Sequence, residues 1–145
     1  MILGIVGHGS GKFTPESEAV ALVAIGTAIG RYKPDTICSG HSPYGGIDIW
    51  AEEAAGVLGL KTLIFAPKVR KWDAPGGFRE RNLQIAAASD VVVCIVVKDF
   101  PPGYRWAKER QDTCYHCLDR NPPHVKSGGC WTAWKAKERA WIILE

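Results

Sequence analysis

A run of seven apolar residues, VVVCIVV at positions 91–97, constrains the fold of this chain more than any other feature. A strand with one face in water alternates apolar and polar residues, whereas a strand covered on both faces is apolar throughout. The run therefore predicts a parallel strand with helices packed on both faces of its sheet. Shorter apolar runs predict further strands at 2–6, 36–38, 62–65 and 141–144.

Each predicted strand except the last is followed by a pattern typical of a helix. Thr14 suits the N-cap and Pro15 the first turn of the first helix, and Gly59 is typical of a helix end. This order predicts an α/β fold, a Rossmann-like, doubly wound and mainly parallel sheet of about five strands with helices on both faces. The predicted helices are 15–32, 47–58, 78–88 and 129–139.

Residues 98–128 interrupt this alternation with a long connection rich in proline, cysteine and histidine. A loop of that length inside a compact domain needs its own source of order. The chain has 145 residues and is 46% hydrophobic, which is typical of one globular domain with a proper core. We therefore predict a single domain, 1–145, with a Cys/His-rich insertion at 98–128.

The insertion predicts a metal site. Cys114, Cys117, His124 and Cys130 have the spacing C-x2-C-x6-H-x5-C, in which a CxxC turn brings two thiolates to one tetrahedral zinc ion. A structural zinc ion would also order a loop that has almost no apolar core. His116 is the rival to His124. The alternatives are a redox CxxC pair, unrelated cysteines with His116 as a catalytic group, and an iron–sulfur site.

A glycine-rich segment, GHGSGK at 7–12, joins the first predicted strand to the first helix. It departs from the Walker A motif because Val6 stands at the first glycine position and Phe13 stands where a hydroxyl should follow the lysine. It also departs from G-x-G-x-x-G, whose last position is Lys12. Such a turn still presents backbone N–H groups to an anion at a helix N-terminus, although glycines also make tight turns without any ligand.

Four predicted strand-to-helix connections carry small or anion-binding residues. Any one of them alone would be ordinary turn chemistry. Because the carboxyl ends of parallel strands share one edge of a sheet, we expect all four to converge on one crevice. The predicted nucleotide-binding residues in them are Gly7, His8, Gly9, Ser10, Ser39, Gly40, Tyr44, Gly45, Gly46, Asp48, Gly76, Gly77, Arg79, Arg81, Asn82, Ser127, Gly128 and Gly129.

Three segments resemble the SLOG superfamily: GIDIWAEEAA at 46–55, GGFRERN at 76–82 and SGGCW at 127–131. This Rossmann-like group includes LOG-type phosphoribohydrolases, DprA-like proteins and YspA-like proteins, and the chain resembles the last branch most. The resemblance covers nearly the whole chain outside 98–125. It implies a pocket for a nucleotide or a nucleotide-derived ligand, and assembly as a homo-oligomer, commonly a dimer.

Individual side chains suit such a ligand. The planar fork of Arg81 fits a phosphate, and Asp48 either caps its helix or accepts a ribose hydroxyl. Tyr44 or His41 would stack on a base, or both are exposed loop residues. Lys12 would neutralise phosphate, or it is a solvated charge.

The same resemblance bears on catalysis. LOG-type enzymes carry the element P-G-G-x-G-T-x-x-E, and its glutamate position falls on Lys135 here, with Glu138 about one turn further on. A ligand-binding or sensing protein is therefore favoured. N-glycosidic or phosphate hydrolysis is the alternative, with Glu52, Glu53 or Glu80 as possible acids or bases.

Nucleic acid is the third candidate partner, because DprA-like relatives bind single-stranded DNA and residues 98–128 combine basic and aromatic side chains. A net charge of +3 and interspersed acidic residues dilute that signal. No apolar run has the length of a membrane span, and no segment resembles a signal peptide. We expect a cytoplasmic protein, without membrane contact, whose five cysteines stay reduced.

Overall fold

The computed structural model describes residues 1–104 and 128–144. Its centre is one five-stranded sheet in which every pair of neighbouring strands is parallel. The strands are β1 (Ile2–Gly7), β2 (Thr36–Ser39), β3 (Lys61–Ile64), β4 (Val91–Val97) and β5 (Glu138–Leu144), in the order β3-β2-β1-β4-β5. The helices are α1 (Pro15–Tyr32), α2 (Ile47–Leu58), α3 (Phe78–Ala88) and α4 (Gly128–Lys135), and a short 3-10 helix covers Ser10–Lys12.

Strand β4 has the two covered faces that its sequence predicts. Every residue of Val91–Val97 is buried. Val93 belongs to an apolar cluster that includes residues of α1 and α2, whereas its neighbour Val92 belongs to a second cluster that includes residues of α3 and α4. Alternate side chains thus point to opposite faces, each covered by two helices. The predicted α/β fold with a parallel sheet is confirmed, and its strand order is compatible with a Rossmann-like fold.

Helix α1 begins and ends as its sequence indicates. Thr14 Oγ1 accepts from the N–H of Ser17 at 3.1 Å, and Ser17 Oγ accepts from the N–H of Thr14 at 2.8 Å, which completes a capping box. The helix ends at Tyr32, and the C-cap residue Lys33 has the left-handed φ of 49°. Gly59, with φ of 69°, ends α2 as predicted.

The boundary between the last helix and the last strand was predicted wrongly. The helix expected over 129–139 ends at Lys135, and β5 begins at Glu138. Pairing decides this boundary, because β5 aligns with β4 over the whole of that strand, from Glu138 opposite Val91 onwards. The Arg139 guanidinium then reaches back to the carbonyl oxygen of Trp134 at 3.4 Å, at the helix end. The predicted strand 91–97 coincides with β4, and the other three predicted strands differ from β1, β2 and β3 by one residue at their ends.

The strand order places a crevice at the end of β1. From β1 the chain moves outward to β2 and β3, then returns to the other side of β1 to form β4 and β5. The helices that follow β1 and β4 therefore lie on opposite faces of the sheet, and a gap opens between the ends of these two strands. Within the described part of the chain, no helix is long and apolar enough to cross a membrane.

Candidate functional site

A cleft of about 260 Å³ opens at the carboxyl end of β1. Residues that follow β1 and β2 form two of its walls, and the first turns of α3 and α4 form the others. The structure thus brings together parts of all four connections predicted to converge. The lining residues are Val6, Gly7, His8, Gly9, Lys12, Ser42, Tyr44, Asp48, Trp72, Phe78, Arg81, Asn82, Ile85, Gly128, Gly129 and Thr132.

The first two walls are joined backbone to backbone. The N–H of Ile47 donates to the carbonyl oxygen of His8 at 3.1 Å, and the N–H of Ser10 donates to that of Tyr44 at 3.1 Å. Gly46 lies between them with φ of 81°, and a Cβ added there would collide with the carbonyl oxygen of His8. Only glycine satisfies both the positive φ and this close approach.

His8 connects the cleft to the end of β4. Its side chain is buried, and its Nδ1 accepts a hydrogen bond from the N–H of Val97 at 3.2 Å. This bond requires Nδ1 to be unprotonated, so a neutral ring carries its hydrogen on Nε2. The ring also meets Phe100 edge-on, with centroids 5.8 Å apart. His8 therefore holds the chain that leaves β4 against the cleft wall.

Asp48 and Arg81 form a buried ion pair in the cleft. Asp48 Oδ2 lies 3.6 Å from Arg81 Nη1 and accepts from the N–H of Ser42 at 3.1 Å. Arg81 Nη1 also donates to the carbonyl oxygen of Gly40. Burial raises the pKa of Asp48 to about 6, even though the Arg81 charge opposes that rise. Burial also lowers the pKa of Arg81, but its guanidinium stays protonated near neutral pH.

Two neighbouring side chains on α3 bring hydrogen-bond donors to the cleft. The buried Nε of Arg81 has no hydrogen-bond partner among the described residues. Asn82 is only 5% exposed and lines the cleft beside it. A buried donor such as the Arg81 Nε is normally satisfied, and both residues line the cleft. They are suited to an anionic or carbonyl-bearing ligand.

The start of α4 closes the fourth wall against β1. A Cβ added at Gly129 would lie 3.0 Å from the backbone nitrogen of Gly7, so glycine permits this contact. Gly128, one position earlier, has more room, since among the described residues an added Cβ would meet only Asn82, at 3.7 Å. Thr132 Oγ1 donates to the carbonyl oxygen of Gly128 at 2.8 Å and fixes the first turn. The positive end of the helix dipole thus lies at the cleft.

The outer part of the cleft is aromatic. Tyr44 is 57% exposed, and its ring centroid lies 6.3 Å from that of Phe78 at an angle of 31°. Trp72 lines the cleft beside them and meets Trp131 edge-on at 5.0 Å. The cleft therefore has glycines and donors at its sheet end and aromatic rings at its rim, an arrangement that suits a flat, partly apolar ligand with an anionic group.

A second cavity, of about 480 Å³, adjoins the cleft, because Ser42 lines both. Its lining includes His41, Lys68 and Arg70, so its charged groups are basic. The guanidinium carbon of Arg70 lies 5.8 Å from the centre of the Tyr44 ring. The loop that bears Tyr44 therefore separates an aromatic cleft from a basic cavity.

Several predicted site residues support the walls without lining the cleft. Ser39 Oγ donates to Glu52 Oε1 at 2.8 Å, and the carboxylate of Glu52 also meets His41 Nδ1 at 2.8 Å. Arg79 is half exposed and lies 4.0 Å from Asp73. Ser127 lies outside the described residues. The other predicted residues that the structure keeps out of the lining are Ser10, Gly40, Gly45, Gly46, Gly76 and Gly77.

Some lining residues were absent from the predicted set. Ser42 and Phe78 lie inside segments already singled out, so proximity to the glycines was the available signal. Trp72 lies in the irregular connection before α3, where no periodic pattern marks it. The remaining unpredicted members are Val6, Ile85 and Thr132, whereas Lys12, which the sequence offers as a phosphate-neutralising or a solvated charge, lines the cleft.

The predicted zinc ligands Cys114, Cys117 and His124 lie outside the described residues. Cys130 is described, and it is fully buried in the apolar cluster that also contains Cys94. Within 1–104 and 128–144, no group of three or more His, Cys, Asp or Glu side chains could hold a metal ion.

Comparisons with protein-family models, curated proteins and solved structures find no match to this chain. The SLOG resemblance therefore remains an expectation from the three segments that carry it. The residues that line the cleft provide the structural basis for a proposed function.

Proposed function

We propose that this chain binds a nucleotide or a nucleotide-derived ligand in the cleft, as a binding or sensing protein. The observation that carries the proposal is the buried Arg81, whose Nε has no hydrogen-bond partner among the described residues, beside Asn82 in a cleft at the carboxyl end of β1. A buried arginine is costly to desolvate, and contact with a phosphate would offset part of that cost.

The three parts of a nucleotide match three parts of the cleft. The phosphate goes to the sheet end, where Arg81 and the N-terminus of α4 supply positive charge and N–H groups. The base goes to the rim and stacks on Tyr44 or Trp72. Asp48 lies beside Arg81, and its ionised carboxylate accepts a hydrogen bond from a ribose hydroxyl. The SLOG resemblance favours the same class of ligand.

The adjoining basic cavity favours a ligand with a second anionic group. Lys68 and Arg70 lie beyond the loop that carries Tyr44, outside the cleft that would hold the first phosphate. A ligand such as ADP-ribose is long enough to offer groups to both. We expect ADP-ribose to bind more tightly than AMP, because AMP would occupy the cleft but not the basic cavity.

Calorimetric titration of AMP, ADP-ribose and inorganic phosphate tests the proposal. Arg81→Ala should weaken nucleotide binding by about 1.5–3 kcal/mol, the range for a hydrogen bond to a charged group. Arg81→Lys keeps the charge but loses the fork, and it should recover only part of the affinity. Arg79→Ala is the matched control, because Arg79 lies two residues earlier on α3 and does not line the cleft. Equal losses in the Ala variants, or no nucleotide binding by the native chain, would refute it.

One observation favours hydrolysis as a second candidate function. The carboxyl of Asp48 lines the cleft, and burial raises its pKa to about 6, which suits a group that donates a proton near neutral pH. An N-glycosidic or phosphate bond held beside Arg81 would lie near this carboxyl. Incubation with nucleoside monophosphates and ADP-ribose separates the two functions, since a hydrolase releases free base or phosphate and an Asp48→Asn variant does not. A pure binding protein returns the ligand unchanged.

A further inference from the structure

Helix α1 exposes an apolar face along its whole middle part. Between Glu18 and Arg31 the helix carries no charged residue. One side of this stretch packs into the core. The other side leaves Val20 53% and Val23 68% exposed. A helix that is apolar on all sides is normally buried on all sides, so its sequence predicts that another apolar surface packs on the exposed side.

The exposed face is a stripe that also includes Leu22, which is 46% exposed, and it has little side-chain bulk at its C-terminal end. Spacing by seven residues puts Glu16, Val23 and Gly30 on one line along the helix. No described atom lies within 4 Å of a Cβ built at Gly26 or Gly30, so the helix backbone is open to close approach there. Thr27 turns its hydroxyl back to the carbonyl oxygen of Val23 at 2.9 Å, which leaves its methyl group outward.

We propose that this stripe is a docking surface for a second copy of the chain, with the two α1 helices antiparallel and Val23 at the two-fold axis. The charges at the two ends of the stripe favour a copy as the occupant. Glu16 lies at the N-terminal end, and Arg31 and Lys33 lie at the C-terminal end. Antiparallel packing brings Glu16 of each chain beside the basic end of the other and also opposes the helix dipoles.

Two-fold symmetry makes the position of Val23 decisive. A residue on the axis meets its own counterpart, so the valines pack against each other, and Gly26 and Gly30 let the two helices approach closely on either side. A charge introduced at this position would face an identical charge. A charge introduced elsewhere on the surface would face water.

Sedimentation equilibrium at micromolar concentration provides the test. The native chain should sediment at twice the 15.8 kDa mass of one chain. Val23→Glu should weaken the dimer about tenfold or more, because it opposes like charges at the axis. Val57→Glu is the matched control, since Val57 is 88% exposed on α2, and this variant should remain dimeric. A monomeric native chain, a Val23→Glu variant as dimeric as the native chain, or equal dissociation of both variants would overturn the proposal.

A charge exchange tests the same interface without altering its apolar centre. Arg31→Glu alone should weaken the dimer, because it sets two acidic groups together at each end of the stripe. Glu16→Arg combined with Arg31→Glu should restore it, because the opposite pairs form again with reversed polarity. Failure of the double variant to recover would refute the antiparallel arrangement. This result decides the matter if Val23→Glu loses its helical circular dichroism.

Discussion

Asp48 Oδ2 lies 3.6 Å from Arg81 Nη1, and the two side chains are 8% and 9% exposed. The first side chain comes from α2 and the second from α3, so the ion pair joins helices that cover opposite faces of the sheet. A buried pair of this kind contributes little net stability, but the loss of one partner leaves a costly charge. The pair is thus better suited to a binding site than to stability.

The pKa of Asp48 predicts how stability depends on pH. Because burial raises the pKa to about 6, the folded chain keeps a proton that the unfolded chain releases near pH 4. Asp48 therefore lowers stability progressively as pH rises from about 4 to 6. Asp48→Asn removes this titration, so its stability relative to the native chain should rise by about 3 kcal/mol across that window. Urea unfolding of both chains at a series of pH values measures the difference, and a difference that shrinks as pH rises would contradict the expectation.

Two adjacent glycines at the start of α4 should respond differently to alanine. Gly129→Ala places a Cβ 3.0 Å from the backbone of Gly7 and should destabilise the fold by about 1–3 kcal/mol through overpacking. Gly128→Ala makes only an ordinary contact with Asn82, and its effect should stay within about 0.5 kcal/mol. Thermal unfolding of the two variants decides. Equal effects would show that α4 does not approach β1 as closely as described.

A second glycine pair makes a similar contrast on α2. Gly46→Ala should cost about 1–3 kcal/mol or more, since it forces alanine into a positive φ and against the carbonyl oxygen of His8. Gly56→Ala should add about 0.5–1 kcal/mol of stability, because Gly56 lies inside the helix with no described atom near its added Cβ. Denaturant midpoints give both values. A stabilising Gly46→Ala would refute the loop contact.

The zinc site predicted from cysteine and histidine spacing can be tested by elemental analysis. Protein purified without chelator should contain about one zinc ion per chain, and Cys114→Ser or Cys117→Ser should lose it. Cys38→Ser is the control, because burial in β2 raises the pKa of Cys38 to about 11 and keeps the thiol protonated. Metal-free native protein would contradict the site. Metal retained at full affinity in Cys130→Ser would remove that residue from the ligand set and assign it to the apolar cluster.

The sequence predicted the fold where local signals and packing agree. The apolar run of β4 predicted both covered faces, and Thr14 with Pro15 predicted the start of α1. At the end of α4 the two disagree, because Lys135 and Glu138 favour helix while β5 must pair along β4. Tertiary pairing prevails over local propensity there, and a single sequence does not show pairing.

The lining of the cleft was predictable where its residues are glycines or polar residues in the connections that follow strands. Arg81 and Asn82 were found in this way, as was Asp48. Trp72 was not, since only the folded path of an irregular loop brings it to the rim. Gly76 and Arg79 are residues of the kind that bind anions, but neither lines the cleft. Gly76 donates its N–H to the Glu80 carboxylate, and the Arg79 guanidinium lies 4.0 Å from Asp73.

The contact between Gly7 and Gly129 has a consequence for the order of events during synthesis. On the ribosome the residues of β1, β2 and β3 are synthesised before those of α4, because the chain is made from its N-terminus. The residues of the first three walls of the cleft are then present without those of the fourth. If the cleft binds the proposed ligand, a chain without α4 lacks one wall of the binding site, so the ligand would stabilise finished molecules more than truncated ones.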